Sequence, residues 1–405
     1  MPGSLDRRLE QKLGRLQQQG LARGVPRLSN ISGPRYHLDD APVVGFCSND
    51  FLGLAGRTLD PNGPPPRTGA TGSRLICGDY PQLRDLEARL AAHVDLPDAV
   101  VFPSGYQLNV GALPALLQPA DRAYSDANNH ASLIDGLRLA QARCEILPHL
   151  HPPPATRDLP ASGLDWWVTE STFSMDGDQP DPTELAAYTA AGGHLYLDEA
   201  HSLGLYRGGR SFAAAHSLSP TALVGTLSKC FGVSGAFLAG STSVCKWLRT
   251  RARSLVFSTG ISPLVVEAAA HALELIQGPE GDRRRARLQA HIHQLATELE
   301  IASHPATPIF PLAVGPNRLA VQFSQQLRAA GFHVQAIRPP TVPEGTARLR
   351  ITLSAAHEPD EVGRLAAAVR AVYRRAGVPL RLAARLHHTT PRHTPSAPPR
   401  TPANA

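Results

Sequence analysis

From about residue 96 onward the chain alternates short apolar runs with stretches of helical spacing, and few folds accommodate that alternation. AVVFPSG (99–105), WWVTES (166–171), HLYLDEA (194–200), ALVGTLSK (222–229) and GAFLAGS (235–241) each read as a buried strand. Continuously apolar runs this short suit strands that are covered on both faces. Helix-like segments such as residues 182–190 lie between some of them. The pattern predicts an α/β sheet, mostly parallel. Beyond about residue 280, a helical segment (RRRARLQAHIHQLATELE) precedes strand-like PIFPLAV and RLRITL, which predicts a smaller α+β unit. The expected organisation is an N-terminal helix and arm over 1–44, a large domain over 45–277, a small C-terminal domain over 278–380 and a disordered tail over 386–405. Leucines at near-helical spacing in 5–22 predict an amphipathic leading helix, and the Gly- and Pro-rich stretch 54–68 predicts a loop.

Charge and cysteine usage narrow the function classes. Lys plus Arg number 40 against 34 Asp plus Glu, a net charge of +6. The last acidic residue is Glu361, and eight arginines follow it, so residues 1–361 carry about −2. The excess is expected to belong to a C-terminal appendage, which argues against a nucleic-acid-binding body. Arg283, Arg284 and Arg285 read as a solvated helix face. Five cysteines without CxxC spacing support neither a zinc site nor a disulfide framework, and His387 and His388 read as part of a solvated tail. No apolar run reaches the roughly 18 residues of a membrane span, and no signal-peptide pattern opens the chain. A reducing cytoplasm is the expected location.

Only three of the 40 basic residues are lysines: Lys12, Lys229 and Lys246. Arginine stays charged, whereas a lysine can lose its proton and act as a nucleophile. Lys12 and Lys246 read as surface residues. Lys229 ends an apolar strand in Gly-Thr-Leu-Ser-Lys-Cys-Phe-Gly (225–232), among small residues whose backbone amides suit an anion such as phosphate. Strand ends of α/β sheets are where ligands bind, and a desolvated lysine there can form a Schiff base. A second strand end places Asp198 in Asp-Glu-Ala-His (198–201). A carboxylate facing the pyridine nitrogen of pyridoxal phosphate would keep that ring an electron sink. DEAH also suggests a helicase, but the required GxxxxGK[ST] phosphate loop is absent from the sequence.

DEAH followed after 24 residues by GTLSK resembles the pyridoxal-phosphate α-oxoamine synthases, a branch of the fold-type I transferases. SNDFLGL (48–54), GATGSRLICG (69–78), FPSGYQLN (102–109), DANNHAS (126–132), TESTFSMDGD (169–178), GVSGAFLAG (232–240) and FSTGISP (257–263) match in the same order. The resemblance spans about residues 45–360. It implies a fold-type I large domain with a mostly parallel sheet, a smaller α+β domain, and pyridoxal 5'-phosphate as cofactor. IRPPTVPEGTARLRIT (337–352) is similar to the branch that joins L-alanine to a pimeloyl thioester in biotin synthesis. The carrier is left open between coenzyme A and an acyl carrier protein. Glycine-using relatives, such as a glycine C-acetyltransferase, share only the later part of that string. An inactive cofactor-binding partner protein is the reading from another class, suggested only by the short loop at 55–67.

The resemblance also implies roles. Lys229 joins the cofactor and serves as base at Cα, Asp198 pairs with the pyridine nitrogen, and His130 and Ala200 cover the two ring faces. His201 and Ser174 match hydrogen-bond partners of the phenolic oxygen. Gly105 and Tyr106 match a cofactor-contacting turn, and Thr226 matches a phosphate ligand. Ser258 and Thr259 would reach the phosphate from a neighbouring subunit, which implies a homodimer with shared sites. Arg350 would grip the substrate carboxylate, assisted by Asn49 and with Thr352 nearby. Arg23 adjoins Ala22, which holds the place of the family's N-terminal substrate arginine.

Overall fold

Seven strands form the central sheet of the computed structural model, which describes residues 4–57, 68–154, 163–301 and 307–383. Across the sheet they run Asp98–Phe102, Ala236–Gly240, Ala222–Thr226, His194–Asp198, Asp165–Glu170, Arg122–Asp126 and Arg143–Leu147. Only Ala236–Gly240 runs against its neighbours; every other pairing is parallel. The five predicted strands are all present, and so is the predicted helix, Pro182–Ala190. Asp181 starts that helix by accepting the Thr183 N–H, and proline fills its first turn. Two further strands escaped the sequence reading. Arg122–Asp126 has no continuous apolar run, and Arg143–Leu147 is an edge strand exposed along all but its last residue.

Alternation along the strands divides the interior into two cores. Trp166 and Trp167 are neighbours on Asp165–Glu170, yet they point to opposite faces because strand side chains alternate. Trp167 enters an apolar cluster that runs from Phe46 to Tyr373, and Trp166 enters a second one with Val100, Leu137 and Leu248. The first cluster continues into an antiparallel three-stranded sheet ordered Ile309–Gly315, Ala347–Thr352, Gln335–Ile337. The helices Pro279–Glu298, Asn317–Ala329 and Pro359–Arg375 bury their apolar sides in the same cluster. A four-stranded sheet comprises the N-terminal strands Leu28–Ser32, Arg35–Leu38 and Ala41–Gly45 with Phe332–His333.

The predicted leading helix forms as Ser4–Gln18, with Leu5, Leu9, Leu13 and Leu16 exposed, so its apolar stripe is not packed within the chain. Two expectations need correction. The arginine run is not uniformly solvated. Arg285 is buried on the carbonyls of Gly204 and Ile276, Arg284 donates to those of Leu52 and Gly53, and only Arg283 is largely exposed. Nor does the C-terminal charge excess belong wholly to an appendage, although Arg385, Arg392 and Arg400 lie outside the described residues. Arg364, Arg370, Arg374 and Arg375 lie on the closing helix Pro359–Arg375, with their charges outside and the apolar stripe of that helix inside. Residues 58–67 of the expected loop, most of the expected tail, and His387 and His388 lie outside the described residues. No described helix is long and apolar enough to cross a membrane.

Candidate active site

Parallel strands that end together bring their last residues into one row. Glu170 and Asp198 are directly paired where their strands stop, and Asp126 and Thr226 end two further strands of the sheet. This row is the expected ligand edge of an open α/β sheet. Asp198 is fixed twice. Its Oδ2 accepts from Asn109 Nδ2 at 2.9 Å, and its Oδ1 accepts from the Ala200 N–H at 2.9 Å. Asn109 is itself buried, donating also to Ser132 Oγ and accepting from Tyr196 OH at 2.7 Å.

Lys229 follows the strand Ala222–Thr226 in a turn and is half-buried. Burial pushes its ammonium down to about 8, opposed by the carboxylates of Asp198 and Glu170 and assisted by Arg350. These influences place the four groups within electrostatic reach of one another. His130 caps the helix Ala131–Ala140, accepting the Ser132 N–H on Nδ1, while its own N–H donates to Glu170 Oε1. Burial lowers the His130 pKa, with Asp198 opposing and Lys229 reinforcing the shift. His201 is buried beside Lys229, Arg350 and His130, and burial, followed by the charges of Lys229 and Arg350, holds it neutral, well below its ordinary range. Glu170 is raised well above the usual carboxylate range by burial and by Asp198.

Arg350 sits on the strand Ala347–Thr352 of the three-stranded sheet and meets this row from the opposite side. Its Nε donates to the Ser174 carbonyl at 2.6 Å and its Nη2 to Asn49 Oδ1 at 3.1 Å. Burial lowers the guanidinium to about 10, so it remains charged near neutrality. A cavity of about 410 Å³ opens beside this seam, lined by Arg23, His130, Ile134, Ser174, Asp176 and Thr341 among others. Arg23 donates to Thr341 Oγ1 at its edge.

The structure thus gathers Lys229, Asp198, His130, His201, Ser174, Asn49, Arg350 and Arg23 along one seam. Gly105 opens the 12-residue helix Gly105–Leu116, near Ala236, which pairs with Thr226. Free N–H groups of a helix start beside a threonine suit a phosphate. Tyr106 turns its hydroxyl to Asp135. Ser258 and Thr259 are placed differently: Thr259 bridges Ser73, and among the described residues neither side chain hydrogen-bonds into the Lys229 group. Asn109 and Glu170 escaped the sequence reading. Both lie inside the quoted motifs FPSGYQLN and TESTFSMDGD, the only signal that could have marked them.

Buried polar atoms without partners test whether pyridoxal phosphate fits. His201 Nδ1 and Thr352 Oγ1 are both buried and unbonded among the described residues, and both belong to this seam. With the Asp198 carboxylate, the lowered Lys229 and the helix start at Gly105, the donor set suits the ring, aldehyde and phosphate of that cofactor.

The family model for aminotransferase class I and II matches residues 41–369, most of the chain. The chain therefore belongs to the aminotransferase class I and II family, whose fold-type I members depend on pyridoxal phosphate. It is 41% identical to 8-amino-7-oxononanoate synthase of Aromatoleum aromaticum, over 89% of this chain and 97% of that protein. It is 40% identical to the Bordetella petrii protein of the same name, over 89% and 96% respectively. Within the class, the chain is a member of the 8-amino-7-oxononanoate synthase family. Among solved structures, serine palmitoyltransferase from S. paucimobilis superimposes with a TM-score of 0.82 at 23% identity, covering 93% of this chain and all of that one. The 8-amino-7-oxononanoate synthase of Francisella tularensis gives 0.68 at 23%, over 83% of this chain and 99% of that one. At that identity both speak for the fold alone.

Proposed function

We propose that the chain condenses L-alanine with a pimeloyl thioester, on coenzyme A or an acyl carrier protein, to give 8-amino-7-oxononanoate, carbon dioxide and the free thiol carrier for biotin synthesis. The observation that carries this reading is the half-buried Lys229, its amine lowered to about 8 between Asp198 and Arg350. An amine with that pKa is partly neutral at physiological pH and can act first as nucleophile and then as base.

Pyridoxal phosphate, when bound, supplies a ring whose protonated nitrogen draws off the negative charge that develops at Cα. The remaining work falls to the chain. Asp198, oriented by Asn109 and the Ala200 N–H, would hold the proton on the ring nitrogen. His130 and Ala200 would hold the ring between them, and His201 and Ser174 would serve the phenolic oxygen. Neutral imidazole at His201 fits that task, because one nitrogen donates without adding a competing cation. Gly105, Tyr106 and Thr226 serve the phosphate, joined by Ser258 and Thr259 of a second copy in a homodimer with shared sites. Arg350 and Asn49 grip the amino-acid carboxylate, with Thr352 beside them, and thereby set which Cα bond stands over Lys229. Arg23, at the cavity edge, meets the acyl substrate.

The purified protein should show the visible absorbance band of lysine-bound pyridoxal phosphate, and Lys229→Ala should lack it. Carbon dioxide and free thiol should form from L-alanine with pimeloyl-CoA. Turnover of glycine with acetyl-CoA instead would make the chain a glycine C-acetyltransferase. Cofactor binding without turnover of either pair would make it an inactive partner protein.

A further inference from the structure

Behind the row of strand ends lies a second buried cluster to which the proposed chemistry gives no task. His149 follows the strand Arg143–Leu147 and is 3% exposed. Its Nδ1 donates to Asp126 Oδ1 at 2.9 Å and its Nε2 to Asp178 Oδ2 at 3.1 Å. The two carboxylates are as buried as the ring between them, and Phe173 meets the imidazole edge-on at 4.5 Å.

Each carboxylate belongs to a segment that carries a residue of the site. Asp126 opens the turn that ends in His130, and it organises that turn by accepting the Asn128 N–H at 2.7 Å and the Leu150 N–H at 2.7 Å. Asp178 closes the loop 173–178, which holds Ser174. The Phe173 N–H donates to the Asp178 carbonyl, and the Gly177 N–H to the Phe173 carbonyl. Gly177 has φ +70°, and a Cβ there would stand 2.9 Å from the Ile309 carbonyl oxygen, so the loop fits against the three-stranded sheet only with glycine. From that sheet, Arg350 holds the Ser174 carbonyl and Arg348 pairs with Asp176. The loop 173–178 is therefore gripped from the front by two arginines and from behind by His149.

We propose that His149 is a positioning residue: its two-ended hydrogen bond sets the distance between the turn carrying His130 and the loop carrying Ser174, and so the width of the slot that receives the cofactor ring. Its charge suits that task. The flanking carboxylates raise the imidazole to about 10, so it stays protonated, with both nitrogens donating, across the working range. The charged groups facing it are Asp126, Asp178 and, through the same loop, Asp176 with Arg348. A neutral imidazole would donate at only one end and release one of the two segments.

The proposal rests on the pyridoxal phosphate reading, and its test separates the two. The holoenzyme is compared with His149→Gln, whose amide cannot span both carboxylates, and with Asp126→Asn, which keeps one of the two acceptor oxygens but not the charge. Visible circular dichroism per bound cofactor reports ring placement independently of turnover. In His149→Gln it should fall, and kcat/KM for L-alanine should drop by up to about 100-fold, the order that a misplacement of roughly 1 Å can cost. Asp126→Asn should lie between this variant and the wild type. Unchanged dichroism and kcat/KM, with only a lowered Tm, would reduce His149 to a structural brace and overturn the proposal. Should His149→Gln not fold, Asp126→Asn and Asp178→Asn decide the same question on the same readouts. Wild-type protein that shows no visible cofactor band would overturn the cofactor reading itself, whatever His149 does.

Discussion

Replacing Arg350 by lysine keeps a positive charge at the carboxylate grip while changing its chemistry in two ways that the structure makes calculable. The guanidinium fork reaches both the Ser174 carbonyl and Asn49 Oδ1, so it is held at two points before any substrate arrives. An ammonium cannot reproduce that planar fork. Losing one charge-assisted bond to the substrate carboxylate costs about 1.5–3 kcal/mol, which is on the order of 10–100-fold in amino-acid affinity. The second change is the pH response. Burial lowers Arg350 from its ordinary value to about 10. The same desolvation acting on an ammonium, ordinarily near 10.4, would bring it to about 8. The wild-type guanidinium stays charged from pH 6.5 to 9, whereas the substituted lysine loses its charge as pH rises through about 8. The assay is titration of the holoenzyme with L-alanine, followed by the change in cofactor absorbance, at half-unit steps between pH 6.5 and 9. The variant's apparent Kd is divided by the wild type's at each pH, and because Arg350 also bears on Lys229, the pH course of each protein's own cofactor band is recorded beside it. That ratio should be about 10–100 at the acid end and rise further above pH 8. A ratio that is flat with pH would refute the desolvation argument, and a ratio near one would remove Arg350 from the carboxylate site.

Further outcomes follow from the same geometry. Asn109→Ala strips the Asp198 carboxylate and the Tyr196 hydroxyl of buried partners, which should cost about 2–4 kcal/mol in denaturant unfolding and weaken cofactor retention; an unchanged midpoint would show that the site relaxes around the loss. His149 is raised to about 10 in the fold from an ordinary 6.5. Its stabilisation is thus fully present below pH 6.5 and disappears as pH rises through 10, so the Tm gap between wild type and His149→Gln should be wide at pH 6 and narrow at pH 10.5. Mixing Lys229→Ala with Thr259→Ala chains tests the shared site. If Thr259 serves the neighbour's phosphate, each mixed dimer has one site with both lesions and one with neither, and about a quarter of wild-type activity should return. If both residues serve the same chain's site, no activity returns on mixing.

What the sequence disclosed depended on how local the signal was. The strands His194–Asp198 and Ala222–Thr226 announced themselves as apolar runs, and the chemistry at their ends could be named because lysine is otherwise so scarce. Arg122–Asp126 lacked such a run, so the sheet was read two strands too narrow on that side. The leading helix was legible from its leucines, but a periodic stripe does not say what covers it. The arginine excess misled for a related reason. Counting charges past Glu361 ignored that Arg364, Arg370, Arg374 and Arg375 share a helix with Val362, Leu365, Val369 and Val372, whose spacing is that of a buried face.

The residues that support the site were hardest to read, and the reason is physical. A nucleophile or a ring-facing acid has a local signature, because a lysine at a strand end or a carboxylate after an apolar run is unusual in itself. A supporting residue has its meaning only in a pair, and those pairs are distant in the chain: Asn109 with Asp198, His149 with Asp126 and Asp178, Arg348 with Asp176. None of these partners is strange where it stands, and each pairing exists only once the parallel strands have brought their ends into one row. Asn109 shows the consequence. On its own helix it is an ordinary amide amid apolar residues, a placement that costs stability unless the amide is fully bonded. Ser132 and the strand that supplies both Asp198 and Tyr196 together meet that requirement, so the side chain that orients the proposed ring-facing acid is also one the fold cannot leave unpaired.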